Sequence, residues 1–264
     1  MMTHLMSDSL TLMMFTVPRL LAAMSVMPFL SKSFFGGTLI RNGVVLCLSI
    51  FLFPIVDEGY KPETMAPIMY AIIIVKEVII GFCLGWLAAL PFWALEAVGF
   101  FIDNQRGSTM ASAMNPLTGS QASPVGILFV QTFTTLFFLG GNFITLLGAI
   151  YTSYHSWPIF SFFPKFELSS ATFFFAQLDY FMGIVVLFAA PLIACMFLAE
   201  FGLGLVSRFA PQLNVFFLSM PVKSLVCMVM LTFYIGVLMR IFDDRYLLVF
   251  DLFKQLNVLW IGNP

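Results

Sequence analysis

The chain has 264 residues, of which 61% are hydrophobic and 9% charged, with a formal net charge of -1. A soluble domain carries roughly 25% charged residues and 45–50% apolar ones, so this composition, with a mean hydropathy of +1.00, excludes a soluble globular protein. It points to a polytopic membrane protein or a subunit enclosed in a membrane-associated assembly, and the charge gives no footprint for nucleic acid.

The N-terminus, MMTHLMSDSL, has no basic region, and no small-residue cleavage site follows the first apolar run. The first span is therefore expected to act as its own insertion signal. Leu10–Leu30 has the length of a span, roughly 20 residues, but contains Pro18, Arg19 and Pro28. Two prolines predict a kinked helix whose freed carbonyls need neighbours. Lys32 and Arg41 follow in a loop with Gly36 and Gly37. Asn42–Val56 is short for a perpendicular span, and Asp57–Glu63 is the most acidic loop.

Met65–Ile102 reads as one extended helix or two packed half-spans. Lys76 and Glu77 are adjacent within it, so on a helix they diverge by about 100° and each needs its own partner. Gly81 and Gly85 form a GxxxG that lets another helix approach closely. Glu96 and Asp103 lie seven apart and share a side of the helix, and Asp103 and Arg106 are spaced to pair at its end. Val125–Tyr151 is a span candidate with Gly140, Gly141 and Gly148 available for close packing. Tyr151, Tyr154 and Trp157 have the character of an interfacial aromatic belt. Ala171–Phe201 is the next apolar run, with Pro191 expected to kink it. Gly202–Lys223 reads as a connection, Ser224–Ile241 as the last span, and 240–264 as an amphipathic tail lying on a surface or a partner helix. The basic connections Lys32/Arg41 and Arg208/Lys223 are expected on the cytoplasmic side.

The stretch that departs from this greasy background is Asp103–Ser123, DNQRGSTMASAMNPLTGSQAS. A polar, Gly/Pro-punctuated segment between membrane-depth helices survives only where it is buried in protein or lines a watery cavity. Two readings fit it: a movable plug in a pore, or an ordinary loop between spans. Met110 and Met114 are flexible side chains that suit a seal yielding to a passing chain, although methionine fills gaps anywhere and this chain has seventeen.

Lys76, Glu77, Glu96, Asp103 and Glu200 are intramembrane charges, costly by ~2.5–3.5 kcal/mol each at a span centre. They form an ion relay, or fixed pairs that set register between subunits, or helix-end charges that snorkel; no periodic row supports a relay. Cys47, Cys83, Cys195 and Cys227 have no ligand spacing and read as small buried residues, and His4 and His155 are far apart. No P-loop, nucleophile elbow or metal motif is present, so no cofactor and no enzymatic activity is expected.

Two stretches, FIDNQRGSTMASAMNP at 101–116 and SRFAPQLNVFFLSMPVKS at 207–224, carry a resemblance to a family. Together with the hydropathy from about Arg19 to Arg240 they resemble the YscT/SpaR/FliR family, the T-type subunit of the type III secretion export apparatus. The Asp-Asn-Gln-Arg-Gly form at Asp103–Gly107 is closer to the virulence injectisome branch. Asn115 stands where the family often has an acidic residue before the proline. The resemblance implies a single all-α export-apparatus domain over 1–264, built of polytopic helical hairpins with kinked and irregular spans and forming part of a helical channel assembly. It implies an inner-membrane, multi-pass location, partly raised on the periplasmic side. It implies partners: smaller R-type and S-type membrane subunits, the U-type switch subunit, the V-type export gate, and unfolded secreted proteins as cargo. The plug corresponds to Arg106–Gln121, with Arg106, Gly107, Ser108, Met110, Met114, Asn115, Pro116 and Gly119 as its marked residues. Arg208, Pro211, Gln212, Asn214, Pro221 and Lys223 are expected to shape a helical hairpin against neighbouring subunits. The rival readings are a stand-alone secondary transporter, which would show inverted repeats, a membrane-embedded lipid enzyme, and a scaffold within the same machine.

Overall fold

A computed structural model describes residues 2–30, 38–52, 67–107, 123–161, 168–210, 212 and 214–261. Every regular element among them is helical. In order they are α1 (Met2–Val26), a 3-10 turn (Pro28–Leu30), α2 (Thr38–Ile50), α3 (Pro67–Gln105), α4 (Pro124–Leu139), α5 (Asn142–Ser156), α6 (Leu168–Phe209) and α7 (Val215–Ile261). Stretches of three of these, Ile68–Gln105, Ser170–Phe209 and Val215–Asp243, are long and apolar enough to cross a membrane, and α4 with α5 makes a fourth if taken as one broken span. Among the described residues the chain adopts the all-α membrane-type fold expected from its apolar runs and from the resemblance.

Several boundaries differ from expectation, each for a local reason. The run expected over Met65–Ile102 is described from Pro67 onward as a single helix, α3, of 39 residues. The first run ends at Val26, because Pro28 has no N–H to continue the ladder and restricts the residue before it; Pro18 alone stays inside α1. The Val125–Tyr151 run is not one helix. It breaks at Gly140–Gly141, and Gly141 takes φ 74°, a left-handed conformation that glycine adopts without steric cost. The glycines of this run are not all packing sites, since a Cβ at Gly141 or Gly148 would meet nothing within 4 Å. The expected last span and tail form one helix, α7, of 47 residues. After Pro221 the sequence offers no proline and only Gly236 before Ile261, so nothing interrupts the ladder.

At 1.5 Å per residue the contour of α7 is roughly 70 Å, more than twice a ~30 Å hydrocarbon core. α6, with 42 residues, also outruns a bilayer. Overlong helices of this kind have to continue into protein or water beyond the lipid.

The chain divides into two compact units. The first comprises Met1–Leu90, Gly140–Phe173 and Leu247–Pro264; the second comprises Pro91–Leu139 and Phe174–Tyr246. In the first, α1 crosses α3 at the two glycines singled out by their spacing. A Cβ on Gly81 would lie 2.1 Å from the Arg19 carbonyl oxygen, and one on Gly85 would lie 2.4 Å from that of Ala23. Only glycine lets the two backbones touch there. Tyr151 donates to the Leu48 carbonyl at 3.0 Å and ties α5 to α2. Tyr154 and Trp157 do not form an interfacial belt. Both are buried; the Tyr154 hydroxyl donates to the Thr16 carbonyl at 2.7 Å, and Trp157 packs on Trp260 with ring centroids 4.8 Å apart.

The second unit is centred on aromatic rings. Phe92, Phe133, Phe137, Phe242 and Tyr246 are fully enclosed, and Phe92 meets Phe133 and Phe137 edge to face at 4.9 and 5.4 Å. Such geometry sets the positive ring edge on the neighbour's negative face. The start of α4 approaches α3 through another glycine pair: a Cβ on Gly99 would lie 2.3 Å from the Gly126 backbone. Ser123 caps α4, its hydroxyl accepting the Gly126 N–H at 2.9 Å, and Pro124 occupies the first helical position, where its missing N–H costs nothing.

Candidate functional site

Two constellations of charge stand out, one in each unit. The first was only half visible in the sequence. Arg19 is completely buried. Its guanidinium grips Glu77 with two bonds, Nε to Oε2 at 2.6 Å and Nη2 to Oε1 at 3.0 Å. It also donates from Nη1 to the Ser153 carbonyl at 2.8 Å and hydroxyl at 3.2 Å, and from Nη2 to the Trp157 carbonyl at 2.8 Å. Its carbon centre stacks 4.2 Å above the Tyr154 ring. A planar fork of five donors matches this set of acceptors.

Lys76 completes the cluster. Its Nζ donates to the carbonyls of Pro158, Ile159 and Ser161 at 3.1, 2.5 and 3.1 Å and lies 3.2 Å from Glu77 Oε1. The expectation that Lys76 and Glu77 face apart is corrected: the backbone vectors diverge, but the four-carbon lysine stem brings the ammonium back to its neighbour. Two cations thus hold five carbonyl oxygens at and beyond the C-terminal end of α5, where the helix leaves carbonyls unpaired and its dipole favours positive charge. One carboxylate balances them. This is a clamp joining α1, α3 and the end of α5, and its three charged side chains are buried.

The second constellation sits at the base of the polar stretch. Asp103 is 1% exposed, at the end of α3. Its Oδ2 accepts the Ser123 hydroxyl at 2.6 Å and the Val125 N–H at 3.0 Å. Its Oδ1 approaches Arg106 Nε to 2.7 Å, without the alignment of a hydrogen bond. The pairing anticipated from the three-residue spacing therefore forms, and a carboxylate at the α4 N-terminus also gains from the helix dipole. Gly107 turns the chain at φ 82°, and a Cβ there would meet Met220 Cγ at 3.4 Å. Asp103 thus links Arg106, just after α3, to Ser123, just before α4. Ser108, Met110, Met114, Asn115, Pro116 and Gly119 lie outside the described residues.

The remaining marked residues are dispersed. Glu200 and Lys223 pair across the α6–α7 hairpin at 2.9 Å. Arg208 is exposed in the last turn of α6. Gln212 is an exposed turn residue, and the Asn214 carbonyl accepts the Leu218 N–H at 3.2 Å as α7 begins. Pro221 lies inside α7, and Pro211 lies outside the described residues. Glu96 is exposed; it shares a side of α3 with Asp103, yet only Asp103 is covered by the start of α4. Of the cysteines only Cys227 is buried, and Cys47 is exposed, so the expectation of four small buried residues holds for one.

A helical chain with three helices long and apolar enough to cross a membrane among its described residues has the character of an integral membrane protein. The particular family follows from comparison: the family described as bacterial export proteins, family 1, matches residues 10–248, and the chain belongs to it. It is 45% identical over 236 residues to the Yop proteins translocation protein T of Yersinia pestis, covering 89% of this chain and 90% of that protein. It is 36% identical over 214 residues to the secretion system apparatus protein SsaT of Salmonella typhimurium, covering 78% and 80%. It is 31% identical over 221 residues to the flagellar biosynthetic protein FliR of Bacillus subtilis, covering 83% and 84%. The resemblance read from Asp103–Gly107 and Ser207–Ser224 is thus borne out, with higher identity to these two secretion proteins than to the flagellar one.

Proposed function

We propose that this chain is the T-type channel subunit of a type III secretion export gate in the bacterial inner membrane, passing unfolded proteins out of the cytoplasm. It works with the smaller R-type and S-type membrane subunits, the U-type switch subunit and the V-type gate. The segment Arg106–Gln121 closes the pore at rest and moves aside for cargo. The observation that carries the gate reading is the Asp103 staple. A loop whose two ends are held at one buried point can swing or refold as a unit while its helices stay in place. The polarity of 108–122 fits a watery passage, and the two methionines fit a seal against chains of varied shape. The translocation and secretion roles named for the relatives support the export part.

Removing Ser108–Asn115 is expected to raise ion leakage through the assembled complex in lipid vesicles, with assembly itself preserved. Unchanged leakage from a correctly assembled complex would contradict the plug and leave a scaffolding role.

A further inference from the structure

Four charged side chains lie on α3: Lys76, Glu77, Glu96 and Asp103. Three have ion-pair partners within the protein. Glu96 is exposed and has no ion pair or hydrogen bond among the described residues. Its surroundings are equally specific. Trp93, Glu96, Ala97, Phe100 and Asn104 recur at the spacing of one helix face, flanked by Phe101. Phe100 and Phe101 are 36% and 46% exposed, while the other side of the helix, with Leu95, Val98 and Ile102, is buried; Glu96 lies at the edge of the exposed face, next to the buried Phe92 and Asp103.

Neither solvent satisfies this face. Lipid accommodates the tryptophan and phenylalanines but penalises a carboxylate. Water accommodates the carboxylate but penalises the exposed rings. A protein helix that is apolar and bears one cation satisfies both, because the opposite charge neutralises Glu96 and the surrounding rings exclude water from the pair.

We propose that the Trp93–Asn104 face of α3 is a docking surface for an apolar helix of another subunit, and that Glu96 forms an intersubunit ion pair with a lysine or arginine on it. This rests on the reading of the chain as a subunit of a hetero-oligomeric export gate. The rings set the contact, and the carboxylate sets its register along the helix: a partner shifted by one turn, about 5.4 Å, leaves both charges unpaired. A polar group at one position of an apolar interface fixes register in this way.

The test uses the full chain co-expressed with its neighbouring membrane subunits and extracted in mild detergent. Glu96→Lys is expected to reduce the co-purified complex at least tenfold. Glu96→Gln, which keeps the shape and loses the charge, is expected to give an intermediate loss. A selection for restored assembly of the Glu96→Lys chain is expected to return a Lys or Arg changed to Asp or Glu in a partner helix. Independently, benzoylphenylalanine placed at Phe100, with Glu96 intact, is expected to crosslink to that same helix. If the wild-type complex forms but Glu96→Lys assembles normally, or if position 100 captures lipid alone, the docking surface is refuted and the export reading stands. If the wild-type chain purifies without partners whose expression is verified, both fall together.

Discussion

Replacing Arg19 with alanine is expected to cost the protein about 3–5 kcal/mol, the range for removing one partner of a buried ion pair. The loss has three parts. Glu77 is left as an enclosed anion with only Lys76 beside it, the carbonyls of Ser153 and Trp157 lose their donors, and a large side chain is deleted from a site with no solvent. Glu77→Ala is expected to be comparably severe, because it leaves Arg19 and Lys76 as two buried cations, 57 residues apart in sequence, without the carboxylate that both of them contact. Arg19→Lys should rescue only partly: an ammonium is a single point of charge and cannot span Glu77, Ser153 and Trp157 at once. The check is the amount of chain in the membrane fraction and its melting temperature in detergent. Wild-type accumulation and melting of Arg19→Ala would show that the clamp contributes nothing.

Asp103→Ala is expected to have the second large effect, and on a different property. It removes the acceptor for the Ser123 hydroxyl and the Val125 N–H and leaves Arg106 without its carboxylate. On the proposed plug reading, the tie between Arg106 and Ser123 is then lost, and ion leakage through the assembled complex in vesicles should rise. Asp251→Ala serves as the control, since its pair with Lys254 is exposed on both sides at 3.4 Å and such pairs contribute little. Leakage equal to that of the control, from an equal amount of complex, would mean that the staple does not hold the segment closed.

The two constellations show where sequence reasoning reaches and where it stops. Asp103 and Arg106 were readable as a pair because a helix places residues three apart side by side. Gly81 and Gly85 were readable as a close approach, although not the identity of the neighbour, which is the backbone of Arg19 and Ala23. The clamp itself was not readable. Arg19 reaches Glu77 across 58 residues and Ser153 across 134, and no local period encodes that meeting. The available signal was its isolation: an arginine beside Pro18, in an otherwise apolar run, cannot stay unpaired at that depth. The same logic linked Glu200 to Lys223 only once the hairpin brought them together. Hydropathy alone does not mark the helix ends, which follow chain chemistry. Gly140–Gly141 divides a uniformly apolar run, and α7 runs on through a charged stretch that hydropathy alone reads as a tail.

The family match supports a role in protein export; the proposal that the chain is part of a multi-subunit export gate is tested most directly by the native mass of the chain. It is to be co-expressed with its neighbouring membrane subunits, extracted in mild detergent and weighed intact. A large stable complex containing this chain with several copies of smaller membrane subunits is the predicted result. A monomer or simple homodimer, with the partners present in the same membranes, would contradict it.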